Sequence, residues 1–218
     1  MIRVVIFDLG GVLVPWSNSV TYRFIEGEYG VPYKTAKREL EKRLPLVQRG
    51  LLSEKDWMAD FFHSQNIEPL KGYEDIWGKT FEGSTYNTDA ERVVRELKEN
   101  GYKLAVLSNI EPSRAAYLRR HGLTNDFDEV IFSSEVGLRK PDRNAAEPNG
   151  TIFEYTLKRL ELPASECLYV DDDENCLKGA EKAGISGILF KGPESLRKEL
   201  AGYGLLNQPT AWTSISRG

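Results

Sequence analysis

Five short apolar segments recur along the chain, and none shows the apolar–polar alternation of a half-exposed strand. They are rich in Val, Ile and Leu and span residues 4–7, 104–107, 130–132, 168–170 and 188–190. Runs of this kind are typical of parallel strands that are covered on both faces. Helical patterns lie between them, at residues 89–97, 152–160 and 177–183. The alternation of strands with helices predicts an α/β fold with a Rossmann-like parallel sheet as its core.

Residues 15–85 differ from the rest of the chain. They contain charged stretches, many aromatic residues and an amphipathic pattern at residues 35–44, and Ser53 is placed to cap a further helix. We therefore predict a small helical cap at residues 15–85, inserted after the first strand. The α/β core is then discontinuous and consists of residues 1–14 and 86–204, followed by a C-terminal tail at residues 205–218.

Composition narrows the class of protein. The chain has 218 residues, with 29 Lys and Arg against 33 Asp and Glu, whereas nucleic-acid-binding domains are usually basic. No apolar run approaches the ~20 residues that span a bilayer, and the N-terminus lacks a signal-peptide pattern. Two cysteines are too few for a disulfide framework or a zinc site. We expect a cytoplasmic protein that binds neither nucleic acid nor membrane, and the sequence leaves its oligomeric state open.

Polar residues follow the apolar segments, at the strand ends where doubly wound sheets bind ligands. They are Asp8, Ser108, Asn109, Ser133, Ser134, Asp171, Asp172 and Asp173. Carboxylates that converge on one crevice repel one another, so they favour a bound cation. A carboxylate pocket without nearby His or Cys favours Mg²⁺ over Zn²⁺. Lys140 follows the third segment closely enough to add an ammonium group, and together these groups suit a phosphoryl group.

Four segments resemble the motifs of the haloacid dehalogenase-like (HAD) hydrolase superfamily. They read VIFDLGGVL at residues 5–13, LSN at 107–109, GLRKPD at 137–142 and YVDDDEN at 169–175. Each motif is short, but the four occur in the family's order and each follows a predicted strand. The sequence is therefore similar to the helical-cap HAD hydrolases. Its motifs look most like those of bacterial hexose-1-phosphate phosphatases.

The resemblance implies a role for each residue of these motifs. Asp8 would be the nucleophile that forms an aspartyl-phosphate. Ser108, helped by the backbone N–H of Asn109, would bind the transferring phosphoryl group, and Lys140 would neutralise its charge. The helical cap would close over a small phosphorylated metabolite. Trp16, which closely follows the first motif, would line the substrate pocket.

The resemblance also implies a Mg²⁺ site. Asp8, the carbonyl of Gly10 and Asp172 would hold the ion, and Asp171 would help directly or through water. Gly10 departs from the commonest phosphatase pattern, which has a second Asp at this position. That Asp protonates the leaving oxygen and later activates water, and general acid–base help of this kind is worth roughly 10²–10⁴ in rate.

Because Gly10 replaces the usual second Asp, three hypotheses for the function remain open. The first is a phosphatase whose substrate has a good leaving group, such as an anomeric phosphate. The second is a 2-haloacid dehalogenase, because a halide leaves without a proton, although adjacent acids such as Asp171 and Asp172 are costly without a metal. The third is a catalytically weak relative that binds a phosphorylated ligand or a partner protein. We favour the phosphatase over the dehalogenase because the adjacent acids need a metal that dehalogenation does not use. Intact Asp8, Ser108, Lys140 and Asp172 argue against the weak relative.

The connection at residues 143–150 is longer than the family pattern, and its Pro and Asn-Gly indicate a loop. It begins at the mouth of the predicted site. The sequence leaves open whether it contacts substrate or is a tolerated surface insertion.

Overall fold

The structure is a computed structural model that describes residues 1–140 and 151–207. The predictions for the loop at residues 143–150, and for the tail beyond residue 207, lie outside these ranges. Across the two described ranges, no helix has the length and apolar character needed to cross a bilayer.

Five parallel strands form one sheet in the described part of the chain, in the order β3-β2-β1-β4-β5. Their bounds are β1 Val4–Phe7, β2 Lys103–Ser108, β3 Glu129–Phe132, β4 Cys167–Asp171 and β5 Ser186–Leu189. Each predicted apolar segment overlaps one of these strands, so the predicted α/β fold is confirmed. The strand order reverses beside β1, which lies between β2 and β4. Such a reversal opens a crevice at the carboxyl ends of the strands.

Helices cover both faces of this sheet and also make up the insert after β1. In the described residues they are α1 Ser19–Tyr29, α2 Tyr33–Glu41, α3 Leu44–Val47, α4 Glu54–Ser64, α5 Ile76–Lys79, α6 Thr88–Glu99, α7 Pro112–Arg120, α8 Ser133–Val136, α9 Ile152–Leu160, α10 Glu174–Lys182 and α11 Pro193–Gly202. Val5 and Phe7 pack into one buried cluster with α6 and α11, while Val4 and Ile6 pack into another with α9 and α10. Because both faces of β1 are buried, its sequence is apolar at every position.

Side-chain caps set the start of several helices. Asn87 accepts hydrogen bonds from two backbone N–H groups of α6, and Thr151 forms a capping box with Glu154 at α9. Helix α10 begins at Glu174, three residues before the predicted start. The reason is that Asp173 caps it by accepting a hydrogen bond of 2.8 Å from the N–H of Asn175.

The insert after β1 is helical, with α1 to α5 and a short 3-10 helix at Tyr73–Asp75. Ser53 caps α4 as predicted, by accepting a hydrogen bond from the N–H of Asp56. A third buried cluster belongs to the insert and is separate from the two clusters on the sheet. At its centre the rings of Trp57 and Trp77 stack at 4.8 Å.

Candidate active site

The candidate site lies at the carboxyl ends of β1, β2 and β4. Phe7 pairs with Val170 of β4, so Asp8 and Asp171, the next residue of each chain segment, lie side by side. A cavity of about 260 Å³ opens there. Most of the residues that the sequence placed in the site line it, namely Asp8, Gly10, Trp16, Ser108, Asn109, Lys140, Asp171, Asp172 and Asp173. Ser133 and Ser134, which also follow a strand, are not among the residues that line it.

Lys140 is a buried cation that lines the cavity beside the aspartates. Its Nζ lies 2.8 Å from Asp171 Oδ2 and 3.0 Å from Asp8 Oδ1, and it donates a hydrogen bond of 2.6 Å to the Tyr169 hydroxyl. The Tyr169 hydroxyl in turn donates to Asp171. The contact between Lys140 and Asp8 is an ion pair without an aligned hydrogen bond, since Asp8 Oδ1 is buried and has no hydrogen-bond partner.

Burial and charge shift the protonation of this cluster in opposite directions. Burial alone would lower the pKa of Lys140, but the Asp8 and Asp171 carboxylates outweigh it and raise that pKa above its ordinary value. Burial alone would raise the pKa of Asp171, but Lys140 and Tyr169 outweigh it and lower that pKa. Asp8 is different, since burial dominates and raises its pKa to about 6 against the pull of Lys140. Lys140 and Asp171 are therefore the firmly ionised pair.

Asn109 fixes the backbone of Lys140. Its Oδ1 accepts a hydrogen bond of 2.8 Å from the Lys140 N–H, and its Nδ2 donates to the Lys140 carbonyl. One residue further on, the N–H of Ile110 donates to Ser133 Oγ at 3.0 Å. These bonds tie the loop after β2 to the segment after β3, so the ammonium group is held by two neighbouring strands.

The acidic residues meet the requirements of a divalent cation. Carboxylate oxygens of Asp8, Asp171 and Asp172 all lie within 4.8 Å of one another, and the buried Asp8 Oδ1 accepts no aligned hydrogen bond. Burial, followed by the charge of Asp171, raises the pKa of Asp172, so the cluster is strained as an array of anions. Three oxygen donors without nitrogen or sulfur suit a hard ion such as Mg²⁺.

Gly11 is what lets Asp172 approach the loop after β1. Its φ is +80°, a left-handed conformation that favours glycine. A Cβ at this position would lie 2.2 Å from Asp172 Oδ2. Sequence reasoning did not single out Gly11, because the Gly-Gly pair gives no sign of which glycine is constrained.

The residues that line the cavity include a buried ion pair that sequence reasoning missed. Arg114 Nη1 lies 2.9 Å from Glu111 Oε2, and each side chain is only 2% exposed. The pair lies at the start of α7, where Glu and Arg at spacing i, i+3 are usually read as surface residues. Gln48 of the insert reaches the same pair by donating a hydrogen bond of 3.0 Å to Glu111.

Tyr169 is a second residue that sequence reasoning missed. It lies inside β4, where the apolar pattern predicted core packing. The available signal was its spacing of two from Asp171, because alternate residues of a strand share a face.

The model of the haloacid dehalogenase-like hydrolase family matches residues 2–184. This chain belongs to that family. A ribulose-1,5-bisphosphate 5-phosphatase of Halopiger xanaduensis is 33% identical over 213 residues, which cover 87% of this HAD-like hydrolase and 85% of the relative. The predicted family resemblance is thus confirmed, and the chain is an enzyme of the HAD hydrolase family.

Solved structures of HAD proteins share the fold of this HAD-like hydrolase. A HAD family enzyme of Bacteroides thetaiotaomicron, solved with magnesium and inorganic phosphate, has a TM-score of 0.67 at 20% identity, covering 88% of this chain and 95% of that chain. The L-2-haloacid dehalogenase of Xanthobacter autotrophicus has a TM-score of 0.62 at 22% identity, covering 95% and 85%. The fold is therefore shared with a haloacid dehalogenase, so it does not identify the reaction by itself, and the site must do so.

Proposed function

We propose that this HAD-like hydrolase is a Mg²⁺-dependent phosphatase that cleaves a small phosphate monoester, of the sugar phosphate class, through an aspartyl-phosphate on Asp8. The observation that carries the proposal is the cluster of Asp8, Asp171 and Asp172 within 4.8 Å of one another. Displacement of a halide requires no metal ion, so a dehalogenase does not need such a cation site. The 33% identical relative, a sugar bisphosphate phosphatase by name, supports the same class of substrate.

The proposed reaction begins with attack of the Asp8 carboxylate on phosphorus. An Asp8 O–P bond forms, the bond from phosphorus to the ester oxygen breaks, and the leaving oxygen takes its proton from water because Gly10 supplies no acid. Water then attacks the aspartyl-phosphate at phosphorus, which releases inorganic phosphate and restores Asp8. A substrate with a good leaving group, such as an anomeric phosphate, suits a site without an acid at residue 10.

The ionised side chains around Asp8 would stabilise the charge of the transferring group. Lys140, held by Asp171, presents a fixed cation 3.0 Å from Asp8. Ser108, at the end of β2, would donate its hydroxyl to a phosphoryl oxygen, with the N–H of Asn109 beside it. When bound by Asp8, Asp172 and the Gly10 carbonyl, with Asp171 direct or through water, Mg²⁺ would offset the negative charge on the phosphoryl oxygens.

The helical insert is proposed as the cap over this site. Residues 15–85 would form the cap, and residues 1–14 and 86–204 the core. Contacts of the insert with the cavity support this division, because Trp16 and Gln48 line the cavity beside residues of the core. Trp16 would form part of the substrate wall, and the partner would be a small phosphorylated metabolite.

The test is phosphate release from a panel of phosphate monoesters, with Mg²⁺ and with EDTA, for the wild type and Asp8→Asn. We expect Mg²⁺-dependent turnover that is lost in Asp8→Asn, while its circular dichroism and melting remain those of a folded protein. Near-normal turnover by Asp8→Asn would exclude the aspartyl-phosphate. Metal-independent halide release from 2-haloacids would favour a dehalogenase, and ligand binding that survives Asp8→Asn without turnover would favour a binding protein.

A further inference from the structure

The insert contacts the α/β part of the molecule immediately before Lys140. The contact is made by one turn of the insert, residues 48–50, which follows α3. This turn meets residues 134–139, the Lys140 segment, which connect β3 to Lys140. Leu44 and Val47 of α3 are buried in the insert's own apolar cluster, so the turn is anchored to the insert rather than to the sheet.

Two hydrogen bonds join the turn to the Lys140 segment. Gln48 Oε1 accepts a hydrogen bond of 2.8 Å from Arg139 Nε, and Arg49 Nε donates one of 3.0 Å to the carbonyl of Gly137. The Gln48 side chain is buried, and its Nε2 donates to Glu111, so both ends of its amide are engaged. The turn therefore binds the segment at the residue directly before Lys140 and also at its backbone.

Gly50 provides the closest approach between the two pieces of chain. Its φ is +66°, in the left-handed region that favours glycine. A Cβ at residue 50 would lie 2.5 Å from the carbonyl oxygen of Ser134, which is backbone and cannot rotate away. A side chain at residue 50 would therefore force the turn and the Lys140 segment apart.

The sheet holds Lys140 from the other side. Asn109, in the loop after β2, binds both the N–H and the carbonyl of Lys140. The Lys140 Nζ lies 3.0 Å from Asp8 Oδ1. The backbone that carries this ammonium group is thus held between the loop after β2 and the insert, so a shift of the insert reaches it. Misplacement of a catalytic group by about 1 Å can cost on the order of 10²-fold in rate.

We infer that the turn at residues 48–50 is a positioning element, through which docking of the insert sets the place of the Lys140 ammonium group beside Asp8. The inference rests on the proposed phosphatase function, in which Lys140 stabilises the transferring group. It gives the insert a part in the reaction that does not depend on contact with the leaving group. Displacing the turn should therefore slow hydrolysis of every ester, whatever its leaving group.

The first test is Gly50→Ala, with Gly30→Ala as the matched control. Gly30 is also in the insert, with a φ of +68°, but a Cβ there would have no atom within 4 Å. For Gly50→Ala we expect kcat to fall about tenfold, by the same factor on glucose 1-phosphate and on acetyl phosphate, with little change in KM. Gly30→Ala should stay within about twofold of wild type. A loss confined to glucose 1-phosphate, or an equal loss in both variants, would overturn the inference.

A double-mutant cycle shows whether the turn acts through Lys140. In a Lys140→Ala background the group that the turn positions is gone, so adding Gly50→Ala should cost less than about twofold in kcat. The same tenfold loss in that background would show that the turn acts by another route, and would overturn the inference while leaving the phosphatase intact.

Amide hydrogen exchange provides a readout that does not require turnover. The N–H of Gly137 donates to the Ser133 carbonyl at 3.0 Å, and the N–H of Lys140 to Asn109 at 2.8 Å. Exchange at these two amides should be about tenfold faster in Gly50→Ala than in wild type or Gly30→Ala. If wild type hydrolyses no ester, the proposed function fails, yet this measurement still decides whether the insert holds the segment. Unchanged exchange in Gly50→Ala would overturn the inference.

A second variant serves if Gly50→Ala does not fold. Gln48→Met has a similar volume but lacks the hydrogen bonds to Arg139 and Glu111. It should speed exchange at Lys140 and lower kcat on both esters by the same factor. Gln65→Met is its matched control, because the Gln65 amide donates to Ser64 within the insert. Equal behaviour of the two methionine variants would contradict the role of the turn.

Discussion

The Glu54 carboxylate accepts two hydrogen bonds from Ser113, one from its backbone N–H at 3.2 Å and one from its hydroxyl at 2.8 Å. Glu54 begins α4 in the insert, and Ser113 lies in the first turn of α7 beside the sheet. This pair therefore joins the insert to the α/β part of the molecule. Burial, with the nearby Glu111 adding to it, raises the pKa of Glu54 from 4.5 to about 7 against the effect of the Ser113 bonds.

The first prediction concerns pH. A carboxyl group whose folded pKa is raised binds more protons in the folded than in the unfolded state between about pH 4.5 and pH 7. Its ionisation should therefore destabilise the fold progressively as the pH rises through that window. Glu54→Gln lacks this titration and should gain stability relative to wild type between pH 5 and pH 8, on the order of 2 kcal/mol. Denaturant unfolding of both proteins at pH 5 and at pH 8 measures this difference in the free energy of unfolding.

The control for this experiment is Glu28→Gln, at an exposed glutamate of α1. Its stability relative to wild type should change little between the two pH values. A constant difference between Glu54→Gln and wild type across the window would contradict the assigned role of Glu54.

The second prediction concerns the missing acid. A Cβ at Gly10 would have no atom within 4 Å, and the φ of Gly10 lies outside the left-handed region, so Gly10→Asp fits the backbone. We expect Gly10→Asp to raise kcat on an alkyl phosphate by about 10²-fold, the low end of general acid–base catalysis. The gain on p-nitrophenyl phosphate, whose leaving group needs no proton, should be smaller. Gly10→Asn adds the same bulk without an acid, so an equal gain in that variant would rule out this explanation.

The third prediction concerns the neighbouring glycine. Gly11→Ala would place its Cβ 2.2 Å from Asp172 Oδ2 and force that carboxylate aside. We expect the Mg²⁺ concentration for half-maximal activity to rise about tenfold or more, because displaced ligands weaken metal binding. Mg²⁺-dependent stabilisation in thermal unfolding should fall in parallel. Gly10→Ala is the matched control, and the same loss in both variants would show that the effect is not steric pressure on Asp172.

The fourth prediction concerns the buried ammonium group. Lys140→Ala should lower kcat/KM roughly 150-fold, which corresponds to a loss of about 3 kcal/mol of transition-state stabilisation. It should also lower stability, since it leaves Asp8 and Asp171 without their cation. Tyr169→Phe removes only the neutral partner of Lys140 and should cost less than about tenfold. Normal steady-state kinetics in Lys140→Ala would show that Lys140 takes no part in catalysis.

Much of the fold follows from the sequence because local patterns and tertiary packing agree. The strands β1 and β4 are buried at every position, so their apolar runs are unbroken and predict strands. Helices α7 and α11 were not predicted. The start of α10 was misjudged because Asp173 was interpreted as a site residue, whereas it caps the helix. A carboxylate can serve either purpose, and sequence spacing alone does not separate them.

The cavity residues at the strand ends were predictable for a related reason. Asp8, Ser108 and Asp171 each follow or end a predicted strand, and parallel strands bring such residues to one edge. The buried ion pair was not predictable, because Glu111 and Arg114 come together with Asn18 and Gln48 from distant parts of the chain. Their burial depends on how the insert packs, which no short motif encodes.

The separate buried cluster of the insert, centred on the stacked Trp57 and Trp77, has a consequence for how this enzyme can diversify. Because these helices pack around their own apolar interior, substitutions among them can reshape the part of the cavity that the insert lines with little effect on strand-end residues such as Asp8 and Asp171. The residues that carry out the reaction and the residues that select the substrate can therefore change separately. Under the proposed function, one lineage can keep the residues that bind the phosphoryl group and acquire new substrates through change within a single segment of the chain.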